Sequence, residues 1–195
     1  MEIKPVTLYG KYIRLEPLKM DHLQGLFDAG QDERIWMYMP SKVRSKEDMV
    51  SWIKNALTNQ DKGIDLPFVV IDQRTGEILG STRFLDISHK DRGLEIGNTW
   101  YTPRVWRTSV NSEAKYLLLT HCFETLRTIR VQLKTHHLNV ASQHAIERIG
   151  GVKEGVLRNH RIQGDGSVRH SVYYSILDSE WETVKAHFET NLLKR

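Results

Sequence analysis

The 195-residue chain has a single cysteine, Cys122, so no disulfide can form within it. A lone thiol suits a reducing compartment. Cys122 lies in "LLLTHCFETL", where apolar residues recur at helical spacing and no basic side chain clusters beside the sulfur. We read it as a packing residue rather than a catalytic thiolate. No apolar run approaches the roughly 18 residues of a membrane span. The first residues, "MEIKPVTLYG", lack the basic-then-apolar order of a signal peptide. A soluble, cytoplasmic protein is expected. No repeat, low-complexity tract or Pro/Gly/Ser linker divides the sequence, which predicts one domain over residues 1–195.

Metal-ligand patterns are missing too. The nine histidines show neither HExxH nor Cys/His spacing. His136 and His137, alternating along a strand, are expected on opposite faces, so no metal site is predicted. The formal net charge of +4 and a pI near 9.1 are a mild excess, compatible with a phosphate-rich ligand. No Lys/Arg block marks a nucleic-acid tail, and nucleic-acid binding is not expected.

What is present is a succession of periodic segments. "KYIRLEPL" alternates as a first strand, and "KMDHLQGLFDAG" follows as a short helix. "SKEDMVSWIKNAL" opens with Ser45 and Asp48 in a capping-box arrangement, and Met49, Trp52, Ile53 and Ala56 share one face. "LPFVVID", the turn "QRTG" and "EILGSTRFLDI" form a hairpin, and "LEIGNTWYTP" is a further strand. "NSEAKYLLLTHCFETL" is a broad-faced apolar helix. "RVQLKT" is a strand, "NVASQHAIERIG" a helix, and "VKEGVLRNHRI" and "RHSVYYSIL" are two strands joined by "QGDGS". Ser179 with Glu182 is expected to cap a last helix. The strand–helix–strand unit from 93 to 136 implies a right-handed parallel crossover in an otherwise largely antiparallel sheet. Seven strands are predicted in a mixed α/β domain.

Two stretches point to chemistry. In "WYTPRVWRTSVNSEAKYLLL" a strand end, a loop and a helix N-terminus follow one another. Such a junction leaves backbone N–H groups where a phosphate can accept from them, and Arg104 and Arg107 can add charge-assisted contacts. An ordinary loop capped by Asn111 or Ser112 fits the same residues. In "NVASQHAIERIG", Asn139 and Ser142 lie one helical turn apart at the front end. They read either as an N-cap with a polar neighbour or as residues facing a ligand.

The order and spacing of "LEIGNTWYTP", "WRTSVNSEAKYLLLTHCFE", "RVQLKTHHLNVASQHAIERIGGVKEGVLRNHRI" and "DGSVRHSVYYSILDSEW", over roughly residues 80–182, resemble the GCN5-related N-acetyltransferases (GNAT). The likeness is to the RimJ and RimL ribosomal-protein N-terminal acetyltransferases in particular. The resemblance implies a sheet splayed between its fourth and fifth strands and flanked by helices, with acetyl-CoA as co-substrate in the gap. It implies that the backbone around Trp100, Tyr101 and Thr102 pairs with the pantetheine amides. The pyrophosphate would rest on the amides of Arg107, Thr108, Ser109, Val110 and Asn111. The family's usual loop, Arg/Gln-x-x-Gly-x-Gly/Ala, is here "RVWRTSVN", without glycine, so Arg107 and Thr108 are expected to compensate through side-chain contacts.

By the same resemblance Asn139 hydrogen-bonds the pantetheine arm. Ser142 then sits near the sulfur as general acid for the departing thiolate. Amine acetylation also needs donors for the charge developing on the carbonyl oxygen, which strand amides at 94–102 can supply. It needs a base, too. Glu95 is the candidate, on a face shared by alternation with Gly97 and Thr99, with a salt-bridged carboxylate as the plain alternative. The glutamate base of RimL-like sequences aligns here with Arg161, beside His160, so that role is not carried over. Arg158, Arg161, Arg169, His160 and His170 make the last hairpin basic, fit for an acidic peptide, a phosphorylated small molecule or plain solvation. Trp36, Met37, Tyr38 and Met39 divide between core and acceptor wall. The expected activity is acetyl transfer to a protein N-terminal α-amine or a small-molecule amine. The alternative is a non-catalytic acyl-CoA-binding domain. Related domains suggest a homodimer.

Overall fold

The computed structural model describes residues 1–193. The strands are β1 (Leu8–Tyr9), β2 (Ile13–Pro17), β3 (Leu66–Asp72), β4 (Ile78–Ser88), β5 (Gly93–Tyr101), β6 (Arg130–His136), β7 (Val152–Ile162) and β8 (Val168–Leu177). The helices are α1 (Leu23–Ala29), α2 (Lys46–Asp61), α3 (Val110–Thr120), α4 (Val140–Arg148) and α5 (Trp181–His187). One sheet runs in the order β1-β2-β3-β4-β5-β6-β8-β7, antiparallel except where β5 meets β6. It has eight strands rather than seven. The extra one, β1, is a two-residue pairing with β2, too short to leave a periodic signal in sequence. No helix among the described residues is long and apolar enough to cross a membrane.

The sheet is covered on both faces. Phe68, Phe84, Leu94, Ile96, Val131, Leu133, Val172, Tyr174 and Ile176 face the larger core, against Leu118 and Leu119 of α3 and Val184 of α5. The other face carries Val69, Ile71 and Trp100 against Met49, Trp52 and Ile53 of α2 and Leu26 of α1. Each fully buried side chain of this kind contributes roughly 1.5–3 kcal/mol. Cys122 is fully buried in the larger core, and burial pushes its thiol pKa well up.

Helix α2 begins as its sequence predicts. The Ser45 hydroxyl accepts from the Asp48 N–H at 3.1 Å, and the Asp48 carboxylate accepts from the Ser45 N–H at 3.0 Å. The last helix does not. Ser179 lies inside a 3-10 turn (Asp178–Glu180), and it is the Glu180 carboxylate that accepts from the Leu177 N–H at 2.9 Å. The turn tightens one step earlier than the Ser179–Glu182 spacing suggests.

The feature that positions the site is the joint between β5 and β6. Among the described residues they pair only at Gly93–Arg130, Leu94–Val131 and Glu95–Gln132. Beyond Glu95 the strands separate, leaving the facing edge of β5 without a ladder partner. A bulge then interrupts β5. Its register to β4 slips between Arg83–Gly97 and Ser81–Trp100, with Asn98 at φ 47°. The slip reverses the alternation, so Thr99 turns toward α3 while Glu95 stays on the opposite face. The expected sharing of one face by Glu95 and Thr99 is thereby corrected.

Candidate active site

A cavity of about 1200 Å³ fills the wedge between β5 and β6. Glu95, Trp100, Tyr101, Arg107, Thr108, Asn111, Asn139 and Ser142 all line it. Segments far apart in sequence thus meet at one site. Thr102, Ser109 and Val110 do not line it. The Thr102 N–H donates to the Leu79 carbonyl at 2.8 Å, and the Val110 N–H donates to the Thr108 hydroxyl at 3.3 Å.

The β5–α3 loop is held by its own side chains. The Thr108 hydroxyl donates to the Val105 carbonyl at 2.6 Å, and the Trp106 indole N–H donates to the Tyr101 carbonyl at 2.8 Å. Arg107 adopts φ 62°, the left-handed conformation that glycine takes without cost. The backbone shape of a glycine loop is therefore reached without glycine, braced by Thr108 and Trp106. Loop amides beside Arg107 and Asn111, the free β5 edge and the basic lining all suit a ligand with amides and phosphates.

On the other wall Asn139 is the N-cap of α4, and its side-chain oxygen accepts from the Ser142 N–H at 3.1 Å. Capping uses only that oxygen, and the Ser142 hydroxyl takes no part in it. Both residues border the cavity, so capping leaves their side chains open to a ligand there.

On the face away from α3, Glu95 is 1 % exposed. It accepts from Gln132 Nε2 at 2.8 Å and pairs with Lys134 Nζ at 2.9 Å. Burial raises its pKa, with Lys134 and Gln132 pulling it back. Burial pulls the Lys134 ammonium down, but Glu95 and Asp86 outweigh it and the net shift is upward. A Cβ at Gly97 would come within 2.7 Å of Leu85 Cδ1 and 2.8 Å of the Glu95 carboxylate, so a side chain there would push both aside. Tyr38 and Met39 join this wall, while Trp36 is buried against Trp100 at 5.1 Å and Met37 is exposed.

Sequence reasoning missed Lys115. It is buried on α3, lines the cavity and donates to the Thr99 hydroxyl at 2.7 Å; burial lowers its pKa to about 7, with Glu95 acting the other way. The signal was available. Lys115 interrupts the stripe it shares with Leu118, Leu119 and Cys122. The two adjacent histidines are also corrected. The rings of His136 and His137 stack at 4.7 Å, because β6 ends at His136 and the chain turns before alternation can separate them. Among the described residues no group of three or more His, Cys, Asp or Glu is placed to hold a metal.

A sheet parted at one parallel joint, with unpaired strand backbone on one side and a helix N-terminus at its mouth, has the architecture of an acetyltransferase. Residues 13–152 match the family model "Acetyltransferase (GNAT) domain", and the chain belongs to that family. It is 30% identical to the uncharacterized N-acetyltransferase YoaA of Bacillus subtilis over 75% of this chain and 81% of that protein. A GCN5-related N-acetyltransferase from Brucella melitensis superposes with a TM-score of 0.91 at 27% identity, over 98% of this chain and 87% of the other. RimJ of Mycobacterium smegmatis, solved in complex with CoA-disulfide, shares the fold at a TM-score of 0.79 and 21% identity, over 94% and 93% of the two chains.

Proposed function

We propose that residues 1–195 form one domain that transfers an acetyl group from acetyl-CoA directly to a primary amine, either a peptide N-terminus or a small molecule. The observation that carries this reading is the parting of β5 and β6 after Glu95, with a carboxylate on one face and a free hydroxyl on the opposite wall. Acetyl-CoA supplies the thioester carbonyl and the thiolate leaving group. The β5 backbone at Trp100 and Tyr101, together with Asn139, would hold the pantetheine arm. The loop from Arg107 to Asn111 would hold the pyrophosphate, the Val110 N–H being already engaged by the Thr108 hydroxyl and the Thr108 N–H by the Val105 carbonyl.

Glu95 takes the proton of the incoming ammonium, directly or through one water, and its raised pKa brings it closer to the amine in proton affinity. Unpaired β5 N–H groups stabilise the charge that develops on the carbonyl oxygen. The Ser142 hydroxyl returns a proton to the sulfur. A reducing, cytoplasmic setting belongs to the same reading, supported by the single cysteine.

The test is turnover of labelled acetyl-CoA with a panel of short peptides and simple amines. Labelled product is expected, formed roughly a hundredfold more slowly by Ser142→Ala and by Glu95→Gln. Tight acetyl-CoA binding with no product on any acceptor would replace this reading with a non-catalytic binding domain.

A further inference from the structure

Arg161 of β7 and Arg169 of β8 stand directly opposite each other in the antiparallel ladder, and both line the cavity. Like charges opposed in this way destabilise a strand pair unless something neutralises them. Here the neutralisation is only partial, Glu95 acting on Arg169 from beyond ion-pair distance. Among the described residues neither guanidinium forms an ion pair, and Glu95 is already paired with Lys134 at 2.9 Å. The lining as a whole has seven Lys and Arg residues against one carboxylate, Glu95.

Arg169 is also positioned, while Arg161 is exposed at the cavity rim. Arg169 is half-buried, and its Nε donates to the Ser171 hydroxyl at 3.2 Å, which in turn meets His160 Nδ1 at 2.9 Å. A bulge at Asn159, with φ 50°, breaks the β7 alternation, and the consecutive residues His160 and Arg161 both border the cavity.

Their face of the sheet is the decisive point. Val172, Tyr174 and Ile176 turn toward the core beneath α3 and α5, so Arg169, Ser171 and Tyr173 turn the other way, as do Glu95 and Lys134. The phosphate-binding loop before α3 lies on the α3 side. These cations are thus surplus to cofactor binding and sit where the amine would approach Glu95.

We propose that Arg161 and Arg169 form a subsite for an anionic group, carboxylate or phosphate, carried by the amine acceptor. The amine part rests on the acetyl-transfer reading above; the anion part does not. Guanidinium groups suit either anion, since both present oxygens at the spacing of a bidentate hydrogen bond.

The experiment uses matched acceptor pairs, an aminoalkyl phosphate against its amino alcohol and a short peptide with Asp against Asn at its second residue. The anionic member of at least one pair should be favoured in kcat/KM by roughly tenfold or more, and the preference should shrink as salt is added. The pair that shows it identifies the source of the anion. Arg161→Gln should weaken the preference and Arg161→Glu should invert it toward a peptide with Lys at that residue. Equal kcat/KM within both pairs, or a preference unchanged by Arg161→Glu, overturns the subsite while leaving acetyl transfer intact. Calorimetric titration of the same probes into CoA-loaded protein separates the two ideas further. An anionic probe that binds there but yields no product once acetyl-CoA replaces CoA supports the subsite, and if no other acceptor yields product either, the transferase reading falls. Failure of both anionic probes to bind overturns the subsite.

Discussion

Lys115 Nζ donates to Thr99 Oγ1 at 2.7 Å, tying α3 to β5 at the point where the sheet opens. Thr99 meets α3 only because the bulge at Asn98 has reversed the strand's alternation. Its hydroxyl also lies 2.8 Å from that of Thr82 on β4, so one short polar chain spans helix and two strands. Lys115 has no carboxylate partner within ion-pair distance among the described residues, and burial brings its ammonium down to about 7. A group that titrates near neutrality is therefore built into the wedge floor.

That burial has a measurable cost. The unfolded lysine titrates near 10.5 and the folded one near 7, so the unfolded chain binds more protons between those values and stability rises with pH across that window. At about 1.4 kcal/mol per unit the cost below pH 7 is on the order of 3–5 kcal/mol. Lys115→Met keeps the volume and removes the charge, losing only about 1 kcal/mol for the bond to Thr99. The variant should be the more stable protein at low pH in urea unfolding, with the gap closing as pH rises toward 10. A gap that does not vary with pH would show that Lys115 is not held neutral.

Arg107 offers a test of the glycine-free loop. A non-glycine residue at φ 62° costs roughly 1–2 kcal/mol, and Thr108 and Trp106 hold the loop against it. Arg107→Gly should therefore unfold at higher temperature than Arg107→Ala, although both lack the guanidinium. Acetyl-CoA titration by calorimetry should find the two variants equally weakened if the side chain contributes by charge. Equal melting temperatures would mean the backbone relaxes without the side chain.

Much of this was legible in the sequence because it is local. The Ser45–Asp48 box, the Asn139 cap and the alternation of β2 depend on neighbours within one or two turns or on period two. The wedge was reached through family resemblance, not periodicity, since nothing local in "LEIGNTWYTP" says that its pairing with β6 stops at Glu95. What escaped was set by single backbone dihedrals or by packing between distant strands. The Asn98 bulge moved Thr99 across the sheet, the turn after His136 stacked two histidines, and the salt bridge weighed for Glu95 found its partner, Lys134, on a strand whose register no sequence pattern fixes.

Asn139 and Ser142 should separate cleanly under mutation. Asn139→Ala removes the cap oxygen, costing about 1 kcal/mol of stability, and also raises KM for acetyl-CoA. Ser142→Ala leaves the cap in place, because only the Ser142 N–H takes part in it. Its melting temperature should match the parent while kcat falls by roughly a hundredfold, the scale of a lost general acid. A Ser142→Ala variant with parental kcat would leave the hydroxyl no role in proton transfer.

Glu95 makes the sharpest prediction about pH. As a base it must be ionised, so kcat/KM should rise with pH along a limb centred above the ordinary carboxylate range, burial having raised its pKa. Lys134 works against that rise from 2.9 Å. Lys134→Met removes the opposing cation, so the acid limb should move to still higher pH while the plateau rate stays near the parent's. Glu95→Gln should abolish the limb and lower the plateau by roughly a hundredfold or more. If the limb stays in place in Lys134→Met, the ionisation it reports belongs to another group, and Lys115, titrating near 7 on the far side of the wedge, becomes the base to test.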